Sequence, residues 1–218
     1  MPSAQSRGFS LPLQRLLGVM ALAISLQGCG TLYVMQAAGG ELQVMRARKP
    51  IDKVLADPKT PKSLRDTLIE VKAAREFASR ELKLPDNRSY RTYADMHRQF
   101  VVWNVVATPE FSTRPKQWCF PIAGCVAYRG YFKEKKAKAF AADLSGQGFD
   151  VTLDGVPAYS TLGTFADPVL STMIVYGSDE LAAIIFHELA HQLLYVKNDT
   201  QFNEAFATTV EKIGRAHV

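Results

Sequence analysis

The sequence has little of what makes a disulfide-stapled, fibrous or membrane-spanning protein. Its 218 residues hold three cysteines, Cys29, Cys119 and Cys125, too few for a disulfide scaffold. The 14 glycines and 11 prolines form no low-complexity tract, which excludes a collagen-like chain. The apolar run from Leu16 to Leu26 stops at 11 residues, well short of the roughly 20 that a permanent transmembrane helix needs. Charge of one sign is also scarce, with 26 Lys+Arg against 21 Asp+Glu. No basic stripe with interleaved aromatics appears, so nucleic acid is not an expected partner. What is present, 47% hydrophobic and 22% charged residues, is globular in character and excludes a wholly disordered chain. The length suits one to one and a half domains at about 150 residues each.

The N-terminus reads as an address. Arg7 and Arg15 precede the apolar run with no acid among them, as in the n-region and h-region of an export signal. Without those two the charge is 24 against 21, or +3. The tetrapeptide Leu26-Gln-Gly-Cys29 resembles a bacterial lipobox. That resemblance implies removal of residues 1–28 and acylation of Cys29, which anchors the chain to the membrane. Two or three acyl chains anchor stably where one does not. Gly30 after the cysteine points to the periplasmic face of the outer membrane.

Behind the anchor, residues 29–85 read as a helical neck. A helix from Thr31 to Lys49 is expected to break near Gly39-Gly40, and Pro50 closes it. After a turn at Asp57–Pro61, the three-and-four spacing of Leu64, Leu68, Val71, Arg75, Ala78 and Leu82 predicts an amphipathic helix ending at Pro85. Residues 86–212 read as a mixed α+β catalytic domain. Strands are expected at Val101–Ala107 and Val126–Phe132, and a lysine-rich helix at Lys133–Leu144. Asp154-Gly155 predicts the turn of a hairpin over Val151–Leu162. Cys119 and Cys125 enclose five residues, and in an oxidising compartment they are expected to form a disulfide. Structural zinc is the weaker reading, since it takes four ligands and no further Cys or His lies nearby.

The chemistry lies in His187-Glu-Leu-Ala-His191, set within an uninterrupted helical run from Ser178 to Tyr195. Ser178 is a candidate N-cap, and Asp179 and Glu180 suit the positive end of the helix. Residues four apart share a helix face, so both imidazoles can converge on one ion. Glu188 then projects beside the ion's open position as a general base. Catalytic zinc typically has three protein ligands, and Glu204 on the next helix is the best third. Thr208 and Glu211 share its face and could hydrogen-bond the outer nitrogens of the histidines. Tyr128, Arg129, Tyr159 and Tyr195 are candidate substrate contacts. HExxH also occurs by chance in helices, with its histidines on the surface or in a satisfied core. That alternative fits less well here, because two unpaired imidazoles in an apolar helix would be costly to bury.

These residues resemble the gluzincin metallopeptidases, and Asn203-Glu-Ala-Phe206 resembles the Asn-Glu-Gly-Phe stretch of zinc aminopeptidases, although fewer residues separate His191 from Glu204 than is usual there. Nearly the whole exported chain resembles a family of bacterial lipoproteins described as predicted aminopeptidases. The resemblance is carried by Leu84–Tyr90, Trp118–Phe132, Ala158–Gly163 and Asp167–Thr172 besides the histidine motif. It implies a zincin-like fold, a peptide substrate, zinc held by His187, His191 and Glu204, and Glu188 as catalytic base. No residue is legible that would hold a substrate's free amine, so an envelope endopeptidase stays open beside an aminopeptidase, as does a noncatalytic binding lipoprotein stapled by zinc. A segment near Tyr159–Leu162 is expected to pair with an extended peptide as an edge strand. Residues 213–218 match the translation of a common sequencing adapter, from which a truncated gene is expected. The oligomeric state is not legible.

Overall fold

The computed structural model describes residues 30–120, 124–197 and 199–217, so the expected leader and Cys29 lie outside the described residues. The described elements are, in chain order, α1 (Gly30–Ala47), β1 (Arg48–Pro50), α2 (Ile51–Ala56), α3 (Lys62–Arg80), β2 (Thr92–Ala94), β3 (Val102–Pro109), β4 (Trp118–Phe120), β5 (Gly124–Val126), β6 (Arg129–Tyr131), α4 (Glu134–Gly146), β7 (Phe149–Val156), β8 (Val169–Leu170), α5 (Ser171–Ile174), α6 (Ser178–Leu193) and α7 (Thr200–Arg215). The fold is mixed α+β. None of these helices is long and apolar enough to cross a membrane.

The β-branched run at 101–107 forms the middle of an antiparallel sheet, β6-β3-β7, with β7 paired along all of β3. Val105 and Ala107 turn inward and pack with Ala137 and Leu144 of α4 in a small core. A second sheet, β1-β2-β8, joins β1 antiparallel and β8 parallel to β2. The larger core combines Val44, Ile51, Leu68 and Ala78 with Leu170, Leu181, Phe186 and Leu189. Residues before and after position 86 therefore bury their apolar faces against one another. In β4-β5, Cys119 faces Cys125 in register and a disulfide joins them.

The α3 stripe behaves as its spacing predicts, with Leu68, Val71, Arg75 and Ala78 buried. Arg75 is tolerated there because its guanidinium donates to the carbonyls of Pro85 (2.8 Å), Ser89 (3.0 Å) and Asn87 (3.2 Å), pinning the loop after α3.

Several local expectations give way to packing. Helix α1 continues through Gly39-Gly40. Gly40 is a place of close approach, where a Cβ would run into the Phe132 ring. Asp154-Gly155 is not a turn, because β7 runs straight through it, with Asp154 opposite Asn104 and Gly155 opposite Trp103. The Phe100 ring lies over Gly155 and fills the space a side chain would take. The 126–132 strand is split into β5 and β6. Residues 157–168 form no strand, so the edge strand expected near Tyr159–Leu162 is absent. Asp167 instead gathers that segment, accepting from the Thr161 amide (3.1 Å) and hydroxyl (2.8 Å).

Candidate metal centre

Helix α6 starts one residue earlier than a cap at Ser178 would set it: Gly177, at φ +82°, takes the cap position and Ser178 is already helical. Asp179 and Glu180 occupy the first turn, where the helix dipole favours them. Leu181, Ile185, Phe186 and Leu189 are fully buried, with the Phe186 ring 5.9 Å from that of Phe77 on α3. This buried face fixes the rotation of α6 and leaves His187, Glu188 and His191 toward one side.

The return into α7 is built by a buried asparagine. Asn203 Oδ1 accepts from the Val196 amide (2.8 Å) and its Nδ2 donates to the Val196 carbonyl (2.8 Å). Asp199 caps the helix by accepting from the Phe202 amide at 3.0 Å. The carboxylate next to Asn203 is thereby brought against the histidine pair. His187 Nε2 and His191 Nε2 lie 3.1 Å apart, Glu204 Oε2 lies 3.3 Å from the first and Glu204 Oε1 3.5 Å from the second. Donors at about 2.0–2.1 Å around a tetrahedral ion stand roughly 3.3 Å from one another. The two distances to Glu204 end on different carboxylate oxygens; taken with one ligand atom from each residue, the three side chains lie within 4.8 Å of one another, and this group could bind a metal ion.

Glu211 lies behind His187, its Oε2 3.0 Å from Nδ1. An Nδ1–H donating to this carboxylate leaves the Nε2 lone pair facing the triangle. Thr208 lies on the same helix but makes no hydrogen bond to either imidazole. Burial lowers the His191 pKa, aided by the neighbouring His187, so the neutral ring that a metal needs persists below the usual imidazole range.

Glu188 is half-buried at the floor of a cavity of about 960 Å³ whose wall also includes His187, His191 and Glu204. Loss of water raises its pKa; the His187 ring and the nearby Ser160 hydroxyl act in the opposite direction. A carboxyl poised upward in this way is a better proton carrier near neutrality than an exposed one. Ser160 and Asp167 were not legible as site residues, because only the irregular 157–168 segment brings them beside α6. Tyr90, 2% exposed and at φ +61°, closes the same region, its amide donating to the Asp167 carbonyl at 2.6 Å. Such strained backbone persists where surrounding contacts hold it.

Tyr128, Tyr159 and Tyr195 line the cavity. Arg129 does not join them: it is 8% exposed, with its guanidinium 4.1 Å from the Tyr33 ring and 4.7 Å from that of Phe140. The opposite wall comes from α1, through Tyr33, Glu41 and Met45. No local sequence pattern could have joined residue 41 to residue 187. His97 is exposed and pairs only with its neighbour Asp95.

No curated protein and no solved structure matches this chain. The sequence profile of the family described as "putative aminopeptidase" matches residues 32–218, nearly all of what lies beyond the expected leader, and the chain belongs to that family.

Proposed function

We propose that the protein is a zinc-dependent peptidase of zincin-like type, an aminopeptidase anchored through Cys29 in the bacterial envelope. The observation that carries this reading is the His187–His191–Glu204 triangle, whose side chains approach one another to 3.1, 3.3 and 3.5 Å and open beside Glu188 into a cavity. Two imidazoles and a carboxylate, with room left for water, are the donor set of a catalytic zinc site; a structural site closes its fourth place with Cys or His. The family's description as an aminopeptidase supports the same chemistry.

Zinc bound here supplies Lewis acidity, which polarises the scissile carbonyl and acidifies water. The chain's own residues do the rest. Glu188 takes the proton from the attacking water and delivers it to the leaving amine, a transfer helped by its raised pKa. The nearby Ser160 hydroxyl favours the charged form of Glu188, and Glu211 holds His187 in the tautomer that keeps Nε2 free for the metal.

The test is hydrolysis of a mixed peptide library by the zinc-loaded protein and by Glu188→Gln, with products read by mass spectrometry. The parent is expected to remove residues from amino termini. The variant should keep its zinc and lose about 10²- to 10⁴-fold in kcat, the usual worth of a positioned base. Internal cuts would identify an endopeptidase instead. Zinc in both proteins with no cleavage in either would overturn the enzymatic reading.

A further inference from the structure

We infer that Glu41 of α1 receives the free α-ammonium of the substrate and so confines cleavage to amino termini; this rests on the peptidase reading above. Among the described residues the cavity wall contains three carboxylates, Glu41, Glu188 and Glu204, and no lysine or arginine. Glu204 belongs to the metal triangle and Glu188 to proton transfer. Glu41 is left without a cation: among the described residues its only polar partner is the Tyr159 hydroxyl, which donates to Oε2. A half-buried carboxylate with Oε1 unbonded, on the wall of the cavity that holds the metal triangle, is a receptor for an ammonium group.

The placement of Glu41 is built. Gln36, five residues earlier on α1, donates to the Gly130 carbonyl (3.0 Å) and accepts from the Phe132 amide (3.4 Å), while the Tyr33 hydroxyl accepts from the Gly130 amide (3.2 Å). These bonds tie the helix to β6. The close seat of Gly40 on the Phe132 ring, which stands edge-on to Tyr159 at 5.5 Å, fixes the neighbouring position. Glu41 is also near enough to Asp167 for its charge to help raise that carboxyl's pKa. An ammonium at Glu41 balances this negative wall. A substrate with a blocked amino terminus leaves the carboxylate desolvated and unpaired, and so binds less well.

The experiment measures calorimetric binding of leucine hydroxamate and of N-acetyl-leucine hydroxamate to the zinc-loaded full chain, to Glu41→Gln and to Tyr159→Phe. The parent is expected to prefer the free amine by about tenfold to a hundredfold, the usual size of a charge-assisted hydrogen bond. Glu41→Gln should bring the two ligands to near parity, the free-amine ligand losing its ion pair and the acetylated one no longer facing an unpaired carboxylate, with zinc content unchanged. Tyr159→Phe, which leaves the carboxylate in place, should keep the preference. An unchanged preference in Glu41→Gln, or none in the parent, overturns the assignment while hydroxamate binding leaves the peptidase reading standing. Zinc-loaded protein that binds neither hydroxamate overturns both.

Discussion

An imidazole is a good metal ligand when one nitrogen is free and the other is held by an acceptor. His187 meets this condition through Glu211, 3.0 Å from Nδ1, whereas Thr208, three residues earlier on α7, bonds to neither ring. Glu211→Ala is therefore expected to weaken zinc binding about tenfold to a hundredfold, measured by competition with a fluorescent chelator. Thr208→Ala should leave it unchanged. Equal effects from the two would mean that Glu211 merely pairs with a histidine. At this scale the metal triangle was legible in the sequence because its parts are local: two histidines four apart on one helix, and a carboxylate on the next. Ser160, Asp167 and Glu41 were not legible. Ser160 and Glu41 reach the cavity from a strandless loop and from a helix far away in the chain, Asp167 lies behind Ser160, and only tertiary packing decides that they meet.

Between elements, the turn from α6 to α7 sets the register of the site. Asn203, 1% exposed, clamps Val196 with two hydrogen bonds, and Glu204 follows it directly. Asn203→Ala removes both bonds and is expected to cost about 1–3 kcal/mol in urea unfolding, with weaker zinc binding because the carboxylate loses its fixed approach. A full stability loss with unaltered zinc affinity would separate the clamp from the metal triangle. The central sheet makes a different point. Asp154-Gly155 carries a strong hairpin signal, yet the pairing of β7 with β3 along eight residues outweighs a two-residue turn preference, and the Phe100 ring caps the glycine. Gly155→Ala is expected to lose about 1–3 kcal/mol by overpacking against that ring. Phe100→Ala in the same background should relieve part of the penalty, and strictly additive losses would contradict the close contact. Helices α3, α6 and α7 were legible because their spacing reports a single buried face. β7 and α1 were misread at their glycines, which serve close packing there and leave no local trace of their neighbours.

For the whole molecule, α1 links the proposed anchor to the site. It begins at Gly30, directly after Cys29, and contributes Glu41 to the cavity wall. At 1.5 Å per residue, Glu41 lies about 17 Å along the helix from Gly30, the residue that follows the proposed lipidation site. A peptide reaching the cavity would thus be held close to the membrane surface. The α1 helix is also part of the large core through Val44, so removal of the segment before residue 48 is expected to destabilise the protein as well as release it. A truncated chain with the parent's thermal midpoint would contradict that. Everything proposed about chemistry depends on the triangle of His187, His191 and Glu204. The most direct measurement is zinc stoichiometry after equilibrium dialysis of the protein, of Glu188→Gln and of His191→Ala. One zinc per chain in the first two and none retained in the third is the predicted result; zinc lost in Glu188→Gln as completely as in His191→Ala, or absent from the parent, would contradict the account.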